Sequence, residues 1–220
     1  MRHSFDARRR RWIAHCSGAV ATVVFAGPLQ ATAPAATVLV VGDSLSAEYG
    51  LARGSGWVAL LEQRLARERI AARVVNASIS GETTAGGRTR LPALLARERP
   101  TLVVIQLGAN DALRGLPLAA TRDNLVAMLR AARAAGARAL LVGMRMPPNY
   151  GRRHAEQFHA LYGEVARAED VPLVPFLLAG VADAADPLAL FQADRIHPNA
   201  QAQPTLLDNV WPALRPLLRA

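Results

Sequence analysis

Ser44, Asp194 and His197 are the residues of this sequence whose types and spacing could perform acyl transfer. Ser44 lies in VVGDSLSAEYG, directly behind a short β-branched run, and the other two lie in DRIHPN near the opposite end of the chain. A separation of three residues lets one turn bring the Asp194 carboxylate to Nδ1 of His197 while Nε2 faces elsewhere. This pair resembles the base and orienting group of a serine triad, which makes Ser44 a candidate nucleophile.

Each of these residue types also has an ordinary structural role. Serine is favoured in turns, an asparagine such as Asn110 often caps a helix, and a lone histidine is commonly a surface or core residue. His154 and His159 lie in a predicted helical stretch, where they would point about 140° apart and make a poor zinc pair. The prediction of a site therefore depends on the candidate residues lying together.

Five short apolar runs alternate with longer amphipathic stretches after residue 36. The runs are continuous rather than alternating, which is typical of parallel strands covered by helices on both faces. They predict strands at 38–41, 73–75, 102–107, 139–144 and 171–174. Between them, apolar residues recur at helical spacing on four faces: Trp57, Leu60, Leu61 and Leu65; Leu125, Met128, Leu129 and Ala132; Phe158, Leu161, Tyr162 and Val165; and Leu206, Leu207, Val210, Trp211, Leu214 and Leu218.

This alternation predicts the α/β class, as a three-layer α/β/α sandwich with a five-stranded parallel sheet of the flavodoxin-like type. Residues 37–220 show no linker or internal repeat, so we expect a single domain. In open parallel sheets, ligands bind beyond the carboxyl ends of the strands. The segments that follow the predicted strands are rich in polar residues and lie at 42–45, 76–84, 108–111, 146–151 and 194–198.

Two other interpretations of these segments fail on the residues present. GETTAGGR resembles a phosphate-binding loop between a strand and a helix, but such a loop needs a lysine and the sequence contains none. Ser44 is not in a Gly-x-Ser-x-Gly motif, because position 46 is serine, so the ordinary α/β-hydrolase architecture is not indicated.

In this order, the four blocks GDSL (42–45), Gly81, GAND (108–111) and DRIH (194–197) resemble the SGNH, or GDSL-type, hydrolase family. The longer segments GDSLSAEYG, NASISGETTAGG, LGANDALRG, MPPNYG and IHPN are similar to its thioesterase I and arylesterase subgroup. The resemblance covers nearly all of residues 37–220 and implies the SGNH fold. It further implies an exported serine hydrolase that cleaves carboxylic esters, with thioesters as further substrates, and needs no metal or organic cofactor.

The resemblance implies a role for each matching residue. Ser44 would be the nucleophile, His197 the general base and then acid, and Asp194 its orienting group. The backbone amides of Ser44 and Gly81 and the side chain of Asn110 would form the oxyanion hole. The segment 42–45 would be the block that carries the nucleophile. Arg195 is a departure from the resemblance, because the family usually has glycine at this position.

Further residues near these blocks are expected to contact the substrate: Asp43, Leu45, Asp111, Met146, Pro148, Asn149, Tyr150 and Ile196. In MRMPPNYGRR, two prolines would stiffen the loop, and the methionines and tyrosine would offer adaptable apolar contacts to an acyl chain. We therefore expect short to medium acyl chains. The alternative is that Met144 and Met146 are core residues at the end of a strand.

Residues 1–36 have the order of a secretory signal peptide, with arginines at 8–11, an apolar stretch at 12–29 and small residues up to Ala36. We predict cleavage near residues 33–36 and an exported protein, periplasmic or secreted, with no stable membrane span afterwards. A membrane anchor is the alternative, but Gly18, Gly27 and Pro28 interrupt the stretch. The only cysteine, Cys16, lies within this segment.

The formal net charge of +9 suggests nucleic-acid binding only at first sight. Residues 1–36 hold five of the 26 basic residues and one of the 17 acidic residues, and the remaining arginines alternate with glutamates and alanines. Such spacing is typical of solvated helix faces. We expect a monomer that binds a small acyl ester or thioester and no nucleic acid.

Two alternatives remain open in the sequence. The same triad would serve a carbohydrate O-acetylesterase or a lysophospholipase, since either ester could fit a suitable pocket. A non-catalytic binding module of flavodoxin-like architecture could instead hold an anion on GETTAGG at a helix N-terminus.

Overall fold

A five-stranded parallel sheet forms the centre of the structure, a computed structural model that describes residues 36–146 and 150–218. The strands lie side by side in the order β2-β1-β3-β4-β5. Their bounds are Ala36–Gly42 (β1), Ala72–Asn76 (β2), Leu102–Gln106 (β3), Arg138–Val142 (β4) and Leu173–Val174 (β5). All five predicted strands are therefore confirmed, with ends that differ from the prediction by at most two residues.

Helices cover both faces of this sheet. They are Trp57–Arg67 (α1), Thr84–Glu98 (α2), Ala109–Leu113 (α3), Leu118–Ala134 (α4), Arg152–Ala168 (α5) and Gln203–Leu214 (α6). Helices α1 and α6 pack together on one face, and α2, α4 and α5 pack on the other. Short 3-10 helices occur at Pro187–Leu190, Ala200–Ala202 and Arg215–Leu218. The predicted three-layer α/β/α sandwich is thus confirmed.

The core follows the apolar runs of the sequence, with one exception. Every residue of β3 is buried, as are nearly all residues of β1 and β4. Strand β2 lies at an edge of the sheet and is only partly buried, so the expectation that both of its faces are covered was wrong. An edge strand has a neighbour on one side only, which leaves more of its surface exposed.

The winding of the chain reverses between β1 and β3. The chain passes from β1 to β2 on one side and then returns to place β3 on the other side of β1. In this pairing Gly42, the last residue of β1, lies opposite Gln106, the last residue of β3. The loops that follow these two strands therefore start side by side, which is where open α/β sheets bind ligands.

Helix α2 has a weaker apolar pattern than the other long helices, because it contains Gly86, Gly87 and Pro92. Gly87 lets it pack closely on the sheet: a Cβ at this position would lie 2.4 Å from Cδ1 of Leu107. The close approach fixes the start of α2 beside the loop that follows β3.

The predicted signal peptide lies outside the described residues, except that its last residue, Ala36, begins β1. Within 36–146 and 150–218, none of the helices is long and apolar enough to cross a membrane.

Candidate active site

Ser44, His197 and Asp194 form a continuous line of hydrogen-bonded groups at the carboxyl edge of the sheet. The Oγ atom of Ser44 lies 2.9 Å from Nε2 of His197, and Nδ1 of His197 lies 2.7 Å from Oδ2 of Asp194. Ser44 belongs to the turn after β1, whereas the other two belong to the loop before α6. The fold thus brings together residues that are 153 positions apart in the chain.

The loop of residues 192–198 holds the Asp194 carboxylate in one orientation. Its Oδ1 accepts hydrogen bonds from the amides of Ile196 at 2.9 Å and His197 at 3.0 Å. Burial opposes ionisation of this carboxyl, but the two amides and the imidazole outweigh it and lower the pKa of Asp194 to about 2. Asp194 is therefore ionised at neutral pH and fixes the proton of His197 on Nδ1.

Tyr49 packs against the catalytic candidate His197, a contact that was not predicted from the sequence. Its ring lies against the imidazole of His197, with centroids 4.4 Å apart and planes inclined by 39°. The side chain of Gln192 donates to the Tyr49 carbonyl at 2.9 Å, which joins the turn after β1 to the loop of His197. A tyrosine five residues after the candidate nucleophile was the available signal, but its partner lies far away in sequence.

Three polar groups predicted for an oxyanion hole lie on the turn after β1, on the loop before α2 and on helix α3. Gly81 has a φ of +78° in the loop before α2, a conformation that favours glycine. Asn110 lies in the first turn of α3, and its Nδ2 donates to the Glu82 carbonyl at 3.0 Å. Within the described ranges, the amides of Ser44 and Gly81 donate to no protein acceptor. Both N–H groups therefore remain available to a ligand, as does the second N–H of Asn110.

Behind the nucleophile lies a buried polar network centred on Gln106, which the sequence analysis also missed. The Nε2 atom of Gln106 donates to Oδ1 of Asp43 at 3.1 Å, and its Oε1 accepts from the Ser46 hydroxyl at 2.6 Å. The amide of Leu45 also donates to Oδ1 of Asp43, at 3.0 Å. A single polar residue at the end of an otherwise apolar run was the signal for Gln106. The network fixes the shape of the turn that carries Ser44.

Asp43 was predicted to contact the substrate, and the structure corrects this prediction. Its side chain is part of the network under the turn, and the residue is only 1% exposed. Burial raises the pKa of Asp43 to about 6, although the hydrogen bonds from Leu45 and Gln106 and the charge of His197 act in the opposite direction. A carboxylate enclosed in this way supports the nucleophile turn and cannot reach a bound ester.

The prediction that Asp111 contacts the substrate is wrong for the same reason, since this residue is also buried. It is 2% exposed and accepts a hydrogen bond from the Thr84 amide at 2.9 Å, together with a short one from the Thr84 hydroxyl. Thr84 is the first residue of α2, so Asp111 joins α3 to the start of α2. Both aspartates lie in segments that follow predicted strands, at 42–45 and 108–111, but their side chains point into the protein.

The remaining predicted contact residues divide into three groups. Met146 is 8% exposed and belongs to the core, which supports the alternative interpretation of the strand-end methionines. Leu45 is partly buried, whereas Tyr150 and Ile196 are 45% and 56% exposed and remain available for contact. Pro148 and Asn149 lie outside the described residues.

Arg195 adopts a left-handed conformation with a φ of +58°, which glycine adopts without strain. The resemblance predicts a glycine at this position, and this backbone geometry would favour one. The Arg195 side chain is exposed, and the hydrogen-bonded line of the triad is formed despite the substitution.

Comparison with known proteins agrees with this architecture. The model of the GDSL-like lipase/acylhydrolase family matches residues 40–203. Esterase TesA of Pseudomonas aeruginosa is 55% identical over 92% of this chain and 97% of that protein. Thioesterase 1/protease 1/lysophospholipase L1 of Escherichia coli K12 is 43% identical over 84% of this chain and 86% of that protein.

A solved structure gives the same result. A crystal structure of TesA superimposes with a TM-score of 0.79 at 57% identity, covering 82% of this chain and 99% of that one. The predicted resemblance is therefore confirmed. The chain belongs to the GDSL-like lipase/acylhydrolase family, whose members are hydrolases that act on ester bonds.

Proposed function

We propose that this protein hydrolyses carboxylic esters through a covalent acyl-enzyme on Ser44. The observation that carries the proposal is the line of contacts from Ser44 Oγ to His197 Nε2, at 2.9 Å, and from His197 Nδ1 to Asp194, at 2.7 Å. These are hydrogen-bonding distances for a nucleophile, its base and the group that orients the base. A non-catalytic binding module would not require this arrangement.

The first half of the reaction forms the acyl-enzyme. Ser44 Oγ attacks the carbonyl carbon of the ester while its proton passes to Nε2 of His197. The carbonyl oxygen becomes an anion, which the amides of Ser44 and Gly81 and the side chain of Asn110 stabilise by donating hydrogen bonds. His197 then returns the proton to the leaving oxygen, and the bond between the acyl carbon and that oxygen breaks.

The second half releases the acid. Water attacks the carbonyl carbon of the acyl-enzyme as His197 removes a proton from it, and the same donors stabilise the second oxyanion. When the intermediate collapses, His197 protonates Ser44 Oγ and the carboxylic acid leaves. Throughout, the ionised Asp194 stabilises the positively charged imidazole. Every step uses side chains and amides of this chain, together with one water molecule.

The substrate class follows from the surroundings of the triad. Five large, mainly apolar side chains are between 41% and 56% exposed: Leu113, Tyr150, Tyr49, Ile79 and Ile196. Four of them belong to the segments that carry Ser44, Gly81, Asn110 and His197, and Tyr150 follows β4. Apolar side chains bind an acyl tail better than a sugar. We therefore propose short to medium acyl chains, carried by oxygen esters and by thioesters.

A lysophospholipase is the second candidate, since the Escherichia coli relative is also named lysophospholipase L1. The same exposed apolar side chains would accept the acyl chain of a lysophospholipid. A carbohydrate O-acetylesterase uses the same chemistry but needs polar groups that hold a sugar.

A substrate panel tests this function. The panel contains p-nitrophenyl esters from acetate to dodecanoate, acyl-CoA thioesters, a lysophospholipid and an acetylated xylan. We expect turnover of the esters and thioesters that depends on chain length and is abolished by Ser44→Ala. Ser55→Ala is the matched control, because Ser55 follows the next turn and, among the described residues, its hydroxyl bonds only to the Ala52 carbonyl. Activity confined to the xylan, or full activity in Ser44→Ala, would reject the proposal.

Export and oligomeric state are part of the same proposal. Residues 1–36 would direct export to the periplasm or the medium and be removed near residues 33–36, and the mature protein would act as a monomer without binding nucleic acid. The order of charged, apolar and small residues supports export. The N-terminal sequence of the exported protein and its mass by light scattering test both points. An uncleaved cytoplasmic chain would contradict export, and a stable dimer would contradict the monomer.

A further inference from the structure

Arg114 reaches back from the end of α3 to the loop that carries Gly81. Its backbone amide donates to the Asn110 carbonyl at 3.1 Å, so it directly follows the helical turn of Asn110. Its Nη2 atom donates to the carbonyl oxygen of Gly81 at 2.9 Å. The guanidinium therefore connects the end of α3, which carries Asn110, to the loop that carries Gly81, and both groups are proposed for the oxyanion hole.

The residue after Gly81 is already well held. The Glu82 carboxylate pairs with Nε of Arg90, its carbonyl accepts from Asn110 at 3.0 Å, and its amide donates to the Ile79 carbonyl at 3.1 Å. The contact to the Glu82 carbonyl holds the peptide that follows Glu82. The contact of the Glu82 amide holds the peptide that joins Gly81 to Glu82, on the edge opposite the Gly81 carbonyl.

Apart from that amide contact, few groups hold Gly81 itself. It has no side chain, and its φ of +78° gives it access to conformations that other residues avoid. A Cβ built on Gly81 would meet one atom from elsewhere in the described chain within 4 Å, Nη2 of Arg114 at 3.6 Å. In residues 36–146 and 150–218, Arg114 is also the only donor to the Gly81 carbonyl.

We propose that Arg114 is a positioning residue for the oxyanion hole. Arg114 holds the carbonyl edge of the peptide after Gly81, and the contact of the Glu82 amide with Ile79 holds its other edge. With this peptide held at both edges, rotation about the Gly81 backbone bonds is restricted, and so is the direction of the N–H group on the peptide before it. Electrostatic stabilisation of an oxyanion depends on donors that are oriented before charge develops, because reorientation during the reaction costs free energy. The guanidinium does not touch the reacting atoms. This inference rests on the proposed esterase function.

An exposed arginine at this edge could instead bind an anionic part of the substrate. The two roles differ in kinetics. A positioning role acts on the transition state, so it changes kcat for every ester, neutral ones included. A recognition role acts on binding, so it changes KM for anionic substrates alone.

The experiment compares Arg114→Met and Arg114→Lys with the matched control Arg122→Met. Arg122 is a half-exposed arginine that pairs with Glu164 at 2.6 Å and links α4 to α5. The kinetics of all three variants are measured with neutral p-nitrophenyl butyrate and with butyryl-CoA, which is anionic. Thermal melting of each variant verifies that it is folded.

We expect Arg114→Met to lower kcat on the order of 10-fold for both substrates, with KM changed by less than about twofold. This loss is smaller than the roughly 10²- to 10³-fold effect of deleting a donor, because the Gly81 N–H is still present. Arg114→Lys should recover part of the rate, since an ammonium can also donate to the carbonyl. Arg122→Met should behave as the unaltered protein.

Three results would overturn the inference: an unchanged kcat in Arg114→Met, a rise in KM confined to butyryl-CoA, or an equal loss in Arg122→Met. Ser44→Ala separates this inference from the proposed function. If Ser44→Ala is inactive and Arg114→Met is fully active, the esterase function stands and only the role of Arg114 fails.

Discussion

The buried carboxyl of Asp43 should make the stability of this protein depend on pH in a direction opposite to that of most carboxylates. Asp43 is 1% exposed, and burial raises the pKa of its carboxyl group from 3.8 to about 6. Between these two values the folded protein keeps a proton that the unfolded chain has released. The stabilisation from Asp43 is therefore complete below about pH 4 and is lost as the pH rises through about 6.

The size of the effect follows from the raised pKa. Each pH unit by which a pKa is raised corresponds to about 1.4 kcal/mol. At neutral pH the ionised Asp43 therefore lowers the free energy of unfolding by about 3 kcal/mol relative to acid conditions. Asp43→Asn removes this titration and keeps a side-chain oxygen to accept from the Leu45 amide, a bond of 3.0 Å in the structure.

Urea unfolding of the two proteins between about pH 4 and pH 7 measures this contribution. The free energy of unfolding of Asp43→Asn, minus that of the unaltered protein, should rise by about 3 kcal/mol across this range. Asp123→Asn is the control, because it removes the same charge from an exposed position on α4 and should show little change. If the difference for Asp43→Asn does not vary with pH, the carboxyl is not held in the environment described here.

Two further substitutions test the reaction directly. Asn110→Ala should lower kcat by about 10²- to 10³-fold with little change in KM, because it deletes a donor to the oxyanion. Steady-state kinetics with p-nitrophenyl butyrate measure both constants. A rise in KM alone would contradict the assignment. Asp194→Asn should lower kcat on the order of 10⁴-fold while the fold persists, because the amide can donate to Nδ1 and force the proton of His197 onto Nε2; activity within about 10-fold of the unaltered protein would contradict the orienting role.

The strands and the triad could be predicted from sequence because each has a local signal. Continuous apolar runs mark buried parallel strands, and the spacing of Asp194 and His197 fits a single turn. The rule that ligands bind beyond the carboxyl ends of parallel strands then placed Ser44 near them, although 153 positions separate Ser44 from His197.

Other features depend on tertiary contacts that a single sequence does not record. Asp43 and Asp111 lie in segments that follow predicted strands. Whether their side chains face the substrate or the interior is decided by partners such as Gln106 and Thr84. The aromatic contact of Tyr49 with His197 joins two distant loops. Such pairs become visible only when the strand order is known.

Covalent capture of Ser44 tests the central claim most directly. A p-nitrophenyl alkylphosphonate should react with the nucleophile, forming a bond between Ser44 Oγ and phosphorus as p-nitrophenolate leaves and His197 takes the proton. Mass spectrometry of the digested protein should find one phosphonyl group per chain, on the peptide that contains Ser44, and none in Ser44→Ala. A label on another residue, or undiminished labelling of Ser44→Ala, would contradict the account.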